Sequence, residues 1–492
     1  MRSARISAFD RTFHPDEANQ AFTTGRLLET GVYAYDPQDH HGPTLYYAAA
    51  AIQKAAGSSS TAALDGTLLR CTPLLFAALA IVFAALAARK LTNRLWPGVL
   101  SALLLGTAPI FAFFATDFIQ EMLLASFTVM MLWSGIGYWH SMQPPVPQSP
   151  ATKIKPGTWA LLFGIAAGLA FATKETSIIA FAAAGLSLLA IRIMQRDWPA
   201  RILQPTHAVL AILGFLLTTA LLYSSFAANW QGVYNIFIAA PISYLQRAAG
   251  SAASQGAAAH VHPWWQYLKW LLFSGWQFSA IPAALLFAIT FRRSSFLHIY
   301  SVAALAIYSL IPYKTPWCAL QIAVPAIIAA CIALPKLERR RAILAYASIT
   351  AALAVNICGL IRINSDPDSK TIPYNYASAS PQVKDLADLI LLHLQSKPKA
   401  QPASRHMPDT FAAVALPPED TWPLPFYLRE VGGAVGYWTS LAELEALAGL
   451  GAKPSVVVVP AEEGHLVQPI FPHLKNTRRF EMRPRVRVRA FW

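Results

Sequence analysis

Ten stretches of about 17 to 24 residues carry almost no charge: 67–88, 96–115, 118–139, 157–173, 176–193, 206–228, 271–291, 296–312, 317–335 and 342–363. Each, as an α-helix, is long enough to cross about 30 Å of hydrocarbon. A bilayer is the solvent such a chain requires, and the fold class that follows is mainly α: a polytopic transmembrane helix bundle. Composition agrees, since hydrophobic residues make up 55% of the 492 residues, charged residues only 13%, and the mean hydropathy is +0.40. Soluble domains are about a quarter charged, so a globular enzyme of the cytosol is excluded. The formal net charge of +14 does not point to nucleic acid. Its Lys and Arg residues fall in short loops between apolar runs, which is a topology signal, and no nucleic-acid partner is expected. The cysteines, Cys71, Cys318, Cys331 and Cys358, lie within or beside apolar segments without metal-site spacing and read as small core residues.

Loop charge alternates. One set of loops holds Arg89, Lys90, Arg94, Lys153, Lys155, Arg192, Arg196, Arg201, Arg292, Arg293, Lys336, Arg339, Arg340 and Arg341, while the other holds Lys174, Arg247, Lys269 and Lys314. Cationic loops resist translocation, which assigns the first set to the cytoplasm and residues 1–66 and 364–492 to the outside of a cell membrane. Three regions follow: a first extracytoplasmic loop over 1–66, a bundle of about ten helices over 67–363, and an extracytoplasmic α/β domain over 364–492. Residues 1–13 are polar and too short for a signal peptide, so an upstream in-frame start encoding one more apolar helix is expected, or an unusual insertion.

Within the first loop, His14-Pro15-Asp16-Glu17 opens a helical pattern through Ala18, Ala21, Phe22 and Leu28 that Gly31 ends. Pro15 suits the first helical position, and Asp16 and Glu17 suit the positive helix end. Tyr33-Ala34-Tyr35-Asp36-Pro37 reads as a turn, and His40-His41-Gly42-Pro43 precedes a short apolar helix to about 56. Residues 250–262 have the composition of a flexible segment. In the tail, a helix over 381–395, a strand over 411–416, a helix near 422–430 and a strand over 455–459 predict a small α/β domain without cysteines. Alternating Arg485, Val486, Arg487, Val488 and Arg489 predict a strand with one solvated basic face. No internal repeat is visible.

Ionisable groups at membrane-helix ends are costly and are functional candidates by default. Asp16 and Glu17 form one acidic cluster, and Asp117 and Glu121, four residues apart, form a second on one helical face. Lys174 and Lys314 lie in outward turns against the positive-inside bias, which suggests an anionic partner such as a phosphate. Any one of these side chains could merely cap a helix or pair with a neighbour. Their gathering on one side of the membrane is what a reaction at the outer face needs. His40 and His41 point apart on a turn and bring no third ligand at standard spacing, so no cofactor is expected and a divalent metal, though open to such a loop, is not indicated.

With these residues in view, the chain resembles the GT-C membrane glycosyltransferases, the superfamily of the protein O-mannosyltransferases and the lipid A aminoarabinose transferase. More narrowly it is similar to the flippase-activity-associated family of archaeal N-glycosylation clusters. The resemblance rests on Asp16-Glu17, on Gly31-x-Tyr33-x-Tyr35-Asp36-Pro37 followed by His41-Gly42-Pro43-x-Leu45-Tyr46-Tyr47, and on 118–123, Phe-Ile-Gln-Glu-Met-Leu. It continues through Lys174-Glu175, Pro312-Tyr313-Lys314-Thr315-Pro316-Trp317 and 422–429 in the tail. It implies transfer of a sugar from a polyprenyl-phosphate carrier to a glycan, lipid or protein acceptor at the outer face. It further implies Asp16 as base with Glu17 as second candidate, Asp117 and Glu121 as the second acidic position, Lys174 and Lys314 at the donor phosphate, and Tyr35, Asp36, His40 and His41 in a substrate loop. Trp264, Trp265, Trp270 and Trp317 would then rim the prenyl site, although interfacial belts explain such tryptophans equally well. Those enzymes carry a helix before the acidic loop, which is where this chain departs from them. A flippase of lipid-linked oligosaccharide, or its accessory subunit, is the competing class. It would place ionisable residues at mid-membrane on broken helices, where these runs carry almost none. An assembly scaffold whose tail binds a partner is a third possibility.

Overall fold

Residues 8–37, 41–143, 154–194, 204–242, 260–292, 295–376, 378–395, 411–449 and 451–492 are described by a computed structural model. The apolar runs become helices: α3 (Gly66–Thr92), α4 (Leu95–Thr107) with α5 (Pro109–Phe114), α6 (Glu121–Ser141), α7 (Pro156–Phe171), α8 (Ser177–Met194) and α9 (Pro205–Tyr223). Further on come Ile281–Thr290, Phe296–Leu310, Pro316–Lys336 and Arg339–Ser365. Among the described residues, six helices are long and apolar enough to cross a membrane, and shorter apolar helices of 10–17 residues occupy the other four runs. The protein is a multi-pass membrane protein.

Two runs are broken, for local reasons. Pro109 forbids helical backbone at Ala108, which is extended (φ −62°, ψ 123°), so the second run splits into α4 and α5. In the seventh run Gly275 takes the left-handed region (φ 98°), and regular helix resumes only at Ile281. Small residues bring helices together: a Cβ on Gly164 of α7 would lie 1.9 Å from the Ala211 carbonyl of α9. In a solvent as apolar as the side chains, such close backbone approach supplies the packing energy. Leu217 (66% exposed) and Ile193 (72%) face outward, as lipid-facing positions do.

At one end of the bundle lie α1 (Pro15–Thr30) and α2 (Thr44–Ala55). His14 caps α1: its Nδ1 accepts from the Asp16 N–H (3.1 Å), while Glu17 Oε2 accepts from the His14 N–H (2.9 Å). Gly31 (φ 71°) closes the helix in the left-handed region. The segment before α2 is pinned to the α7–α8 turn, with the Gly42 N–H donating to the Thr173 carbonyl (3.1 Å) and the Thr44 N–H to that of Ala172 (3.2 Å). A Cβ at Gly42 would stand 2.1 Å from the Ala172 oxygen, so no larger residue fits there.

The Glu17 carboxylate ties this end together. Its Oε1 accepts from Arg70 Nε of α3 (2.9 Å) and from the Phe118 N–H ahead of α6 (2.9 Å); its Oε2 accepts from Arg70 Nη2 (2.7 Å) as well as His14. Arg70 spends Nη1 on the carbonyls of Phe9 (2.8 Å) and Arg11 (2.7 Å). Both side chains are 0% exposed.

The tail forms a five-stranded sheet, in the order β2-β1-β3-β5-β4, of β1 (Ala412–Ala415), β2 (Val435–Trp438), β3 (Val456–Pro460), β4 (Thr477–Arg483) and β5 (Val486–Phe491). β1 pairs in parallel with β2 and β3, whereas β5 runs antiparallel to β3 and β4. Helix Gln382–Gln395 covers one face through Val383, Leu386 and Ile390. The expected strands at 411–416 and 455–459 are β1 and β3, and the Arg-Val alternation falls on β5, with Arg487 exposed and Val488 buried. Near 422–430 only single turns form, and β2 and β4 went unanticipated. An aromatic column docks this domain: Arg70 lies over Phe13 (4.3 Å), Phe13 stacks on Phe426 (4.2 Å), and Arg429 lies over Phe426 (4.4 Å). The Phe13 N–H donates to the Tyr427 hydroxyl (2.9 Å).

Glu17→Gln leaves Arg70 buried without its counter-charge, and the expected loss is roughly 3–5 kcal/mol of stability. Burial alone would raise the Glu17 carboxyl, but Arg70 overrides it and holds the group down at about 2, below its ordinary 4.5. A depressed carboxyl stabilises the fold above its unfolded pKa, and that stability is lost as pH falls. The gap in thermal unfolding midpoint between wild type and Glu17→Gln, measured in detergent, should therefore narrow from pH 4.5 toward pH 2. A gap that does not change with pH would refute the role of the charge.

Candidate active site

Adjacent on α1, Asp16 and Glu17 point about 100° apart around the helix, so burying one exposes the other. The Asp16 side chain is 50% exposed, with Oδ2 3.6 Å from His14 Nδ1. His14 Nε2 lies 3.1 Å from the Tyr376 carbonyl. A carbonyl only accepts, so the ring proton sits on Nε2 and Nδ1 is left to cap Asp16. Around this carboxylate stand Tyr313 and His260. Burial pushes the Tyr313 phenol up to about 12, and the Asp16 charge adds to the effect. Burial lowers His260, and Asp16 opposes that shift. The Tyr376 hydroxyl bridges His260 Nδ1 (3.2 Å) and His262 Nε2 (3.1 Å).

Asp117 and Glu121 do not share a helical face. α6 begins only at Glu121, because Glu17 takes the Phe118 N–H and the Asp117 Oδ1 accepts from Arg11 Nη2 (3.0 Å), which holds this stretch in an irregular turn. Burial, and after it the charge of Glu17, raises the Asp117 carboxyl to about 7 against the pull of Arg11. Glu121 pairs instead with Lys174, and both are buried. Each acid thus has its own cation, and the repulsion expected between two neighbouring carboxylates is resolved by separate ion pairs.

Lys314 is 1% exposed and donates to the carbonyls of His262 (3.3 Å) and Ile311. His41 Nδ1 meets Glu175 Oε2 at 3.0 Å, and burial of this carboxyl is outweighed by His41, which holds it down at about 2. The Tyr33 hydroxyl donates to the His41 carbonyl (2.5 Å). Tyr35 is buried with its ring edge-on to Tyr223 (5.0 Å), and Asp36 is exposed. His40, Arg247 and most of the 250–262 segment lie outside the described residues. Trp264 and Trp265 are exposed, whereas Trp270 and Trp317 pack inward beside Tyr376. Among the described residues no group of three or more His, Cys, Asp or Glu is placed to hold a metal ion.

Sequence reasoning passed over Arg11, Arg70, His14 and Tyr376. Arg70 carried a usable signal, since a lone arginine one turn into an apolar run must be paired. Tyr46 and Gln20 form a second buried polar pair, to which Gln120 Nε2 donates at 3.3 Å.

No family model matches the chain, and no curated protein matches its sequence. Solved structures do match. ArnT from Cupriavidus metallidurans, bound to undecaprenyl phosphate, superposes with a TM-score of 0.65 at 14% identity over 99% of this chain and 95% of that one. The oligosaccharyltransferase of Archaeoglobus fulgidus in the apo form gives 0.54 at 14% identity, covering 92% of this chain and 66% of that one. The oligosaccharyltransferase AglB from the same archaeon, in complex with an inhibitory peptide and a dolichol-phosphate, gives 0.51 at 13% identity over 94% of this chain and 67% of that one. The fold of this chain is that of the GT-C membrane glycosyltransferases.

Proposed function

We propose that this protein is a GT-C type glycosyltransferase that moves a sugar from a polyprenyl-phosphate donor to an acceptor hydroxyl at the extracytoplasmic face. One observation carries the reading: an exposed carboxylate, Asp16, stands at the same bundle end as the buried pairs Arg11–Asp117 and Lys174–Glu121 and the buried Lys314. Solved neighbours of the same fold bound to undecaprenyl phosphate and to a dolichol-phosphate support a lipid-phosphate donor. The positive-inside count supports placing this end and the C-terminal domain outside. The narrower family resemblance rests on the sequence motifs alone.

In this reading Asp16 takes the acceptor's hydroxyl proton as that oxygen bonds to the anomeric carbon. The bond from that carbon to the phosphate oxygen breaks, and the lipid phosphate leaves with the electron pair. Lys174 and Lys314 meet the phosphate charge. Glu17 does not act as base: all four N–H donors around it are engaged and it is 0% exposed, so its role is to hold α1 and Arg70 in place. Asp117, raised toward neutrality, orients the acceptor. The His41–Glu175 contact fixes the loop that carries Tyr35 and Asp36 against the α7–α8 turn. A flippase or an accessory subunit is the weaker reading, because the acids and lysines gather at helix ends rather than at mid-membrane.

Asp16→Asn should lower transfer per folded molecule by roughly 10²-fold or more while leaving the unfolding midpoint unchanged. Lys314→Met, and the double change Lys174→Met with Glu121→Gln that leaves no orphaned charge, should raise the donor KM more than they lower kcat. Near-normal turnover in both Asp16→Asn and Asp117→Asn would sink the mechanism and put the flippase or scaffold ahead.

A further inference from the structure

A groove of about 670 Å³ runs between the N-terminal segment, the loop ahead of α3 and the C-terminal domain. Three carboxylates, Asp10, Asp65 and Glu430, and three cations, Arg11, Lys384 and Arg429, line it. Phe9 and Tyr427 supply apolar surface between them, and Phe13 lies beneath with its faces covered by Arg70 and Phe426. The size is that of a small-molecule or oligomer site. Arg11 connects it to the proposed active site: Nη2 bonds Asp117 (3.0 Å), while Nη1 is buried and has no partner among the described residues. A buried guanidinium nitrogen without an acceptor costs about 1–3 kcal/mol, more for a charged group, so a side-chain shift that opened Nη1 to a ligand oxygen would be favourable.

The lining decides the ligand class. An anionic chain would meet three carboxylates, a cationic one three cations, and a prenyl chain would have to desolvate all six charges. A neutral polyol avoids each penalty: its hydroxyls donate to the acids and accept from Lys384, which also donates to the Asp10 carbonyl, while Arg429, spent on the carbonyls of Leu64 and Phe426, contributes only fixed charge, and the C–H faces meet Phe9 and Tyr427. We infer that this groove is a carbohydrate-binding site that holds a neutral glycan beside Arg11, the partner of Asp117. That it is the acceptor subsite rests on the transferase reading above; that it binds glycan does not.

Binding is measured by saturation-transfer NMR and titration on the purified full chain. The probes are short neutral gluco-, galacto-, manno- and N-acetylglucosamine oligomers, with uronate oligomers and uncharged peptides as comparison probes. At least one neutral series should bind. Its Kd should rise by about tenfold or more in the double variant Lys384→Ala with Glu430→Ala, while binding of polyprenyl phosphate stays as in wild type. Failure of every neutral series to bind overturns the inference. So does glycan binding indifferent to the double variant, or binding there of uronates or peptides instead. Because binding needs no turnover, a negative transfer assay with a positive glycan titration would defeat the enzymatic reading and leave the groove assignment standing. The reverse pattern would defeat the groove alone.

Discussion

The ion pair between Glu17 and Arg70 is the constraint on which this end of the molecule depends. Burying either charge alone would cost several kcal/mol, and the arrangement is tolerable only because the carboxylate accepts four N–H bonds and the guanidinium is held by two backbone carbonyls besides. Those partners come from the start of α1, from α3, from the turn ahead of α6 and from the N-terminal segment. One buried carboxylate therefore sets the position of all four. It also decides where its neighbour points, since turning Glu17 inward leaves Asp16 at the surface of the same helix.

From that fixed point the acids diverge in character through environment alone. Asp16 stays half-exposed beside His14, Glu17 is saturated and held far below its usual range, and Asp117 is driven up by burial and by the charge of Glu17. Glu121 is committed to Lys174. Carboxylates whose surroundings push them in opposite directions are the usual basis for a division of acid–base labour within one site. The aromatic column extends the same frame into the tail. Arg70 touches Phe13, Phe13 touches Phe426, and the C-terminal domain thus rests on the residue that holds Glu17.

Much of the architecture was legible in the sequence because its cause is coarse. Long uncharged runs can only be helices in lipid, and each of the ten anticipated runs contains one. The helix from Pro15 was readable down to its stop at Gly31, since caps are local chemistry. The broken second run is explained by Pro109, which opens α5. Strands β2 and β4 were hidden because Val435–Trp438 is four residues long and Thr477–Arg483 is largely charged, so neither shows an apolar alternation. In the site, the residue types were legible and their pairing was not. That Arg70 would reach Glu17 across 53 positions, or that Lys174 would choose Glu121 over Glu175, depends on tertiary distance that no spacing rule encodes.

The central claim is that the outer end of this bundle transfers a sugar from lipid phosphate. Its most direct test is incubation of the purified protein, in nanodiscs, with labelled polyprenyl-phosphate sugars and a mixed pool of glycan, lipid and peptide acceptors. The account predicts time-dependent appearance of label in an acceptor with matching release of polyprenyl phosphate. Binding of the lipid donor without release of polyprenyl phosphate under any acceptor, together with movement of intact donor between leaflets, would contradict it.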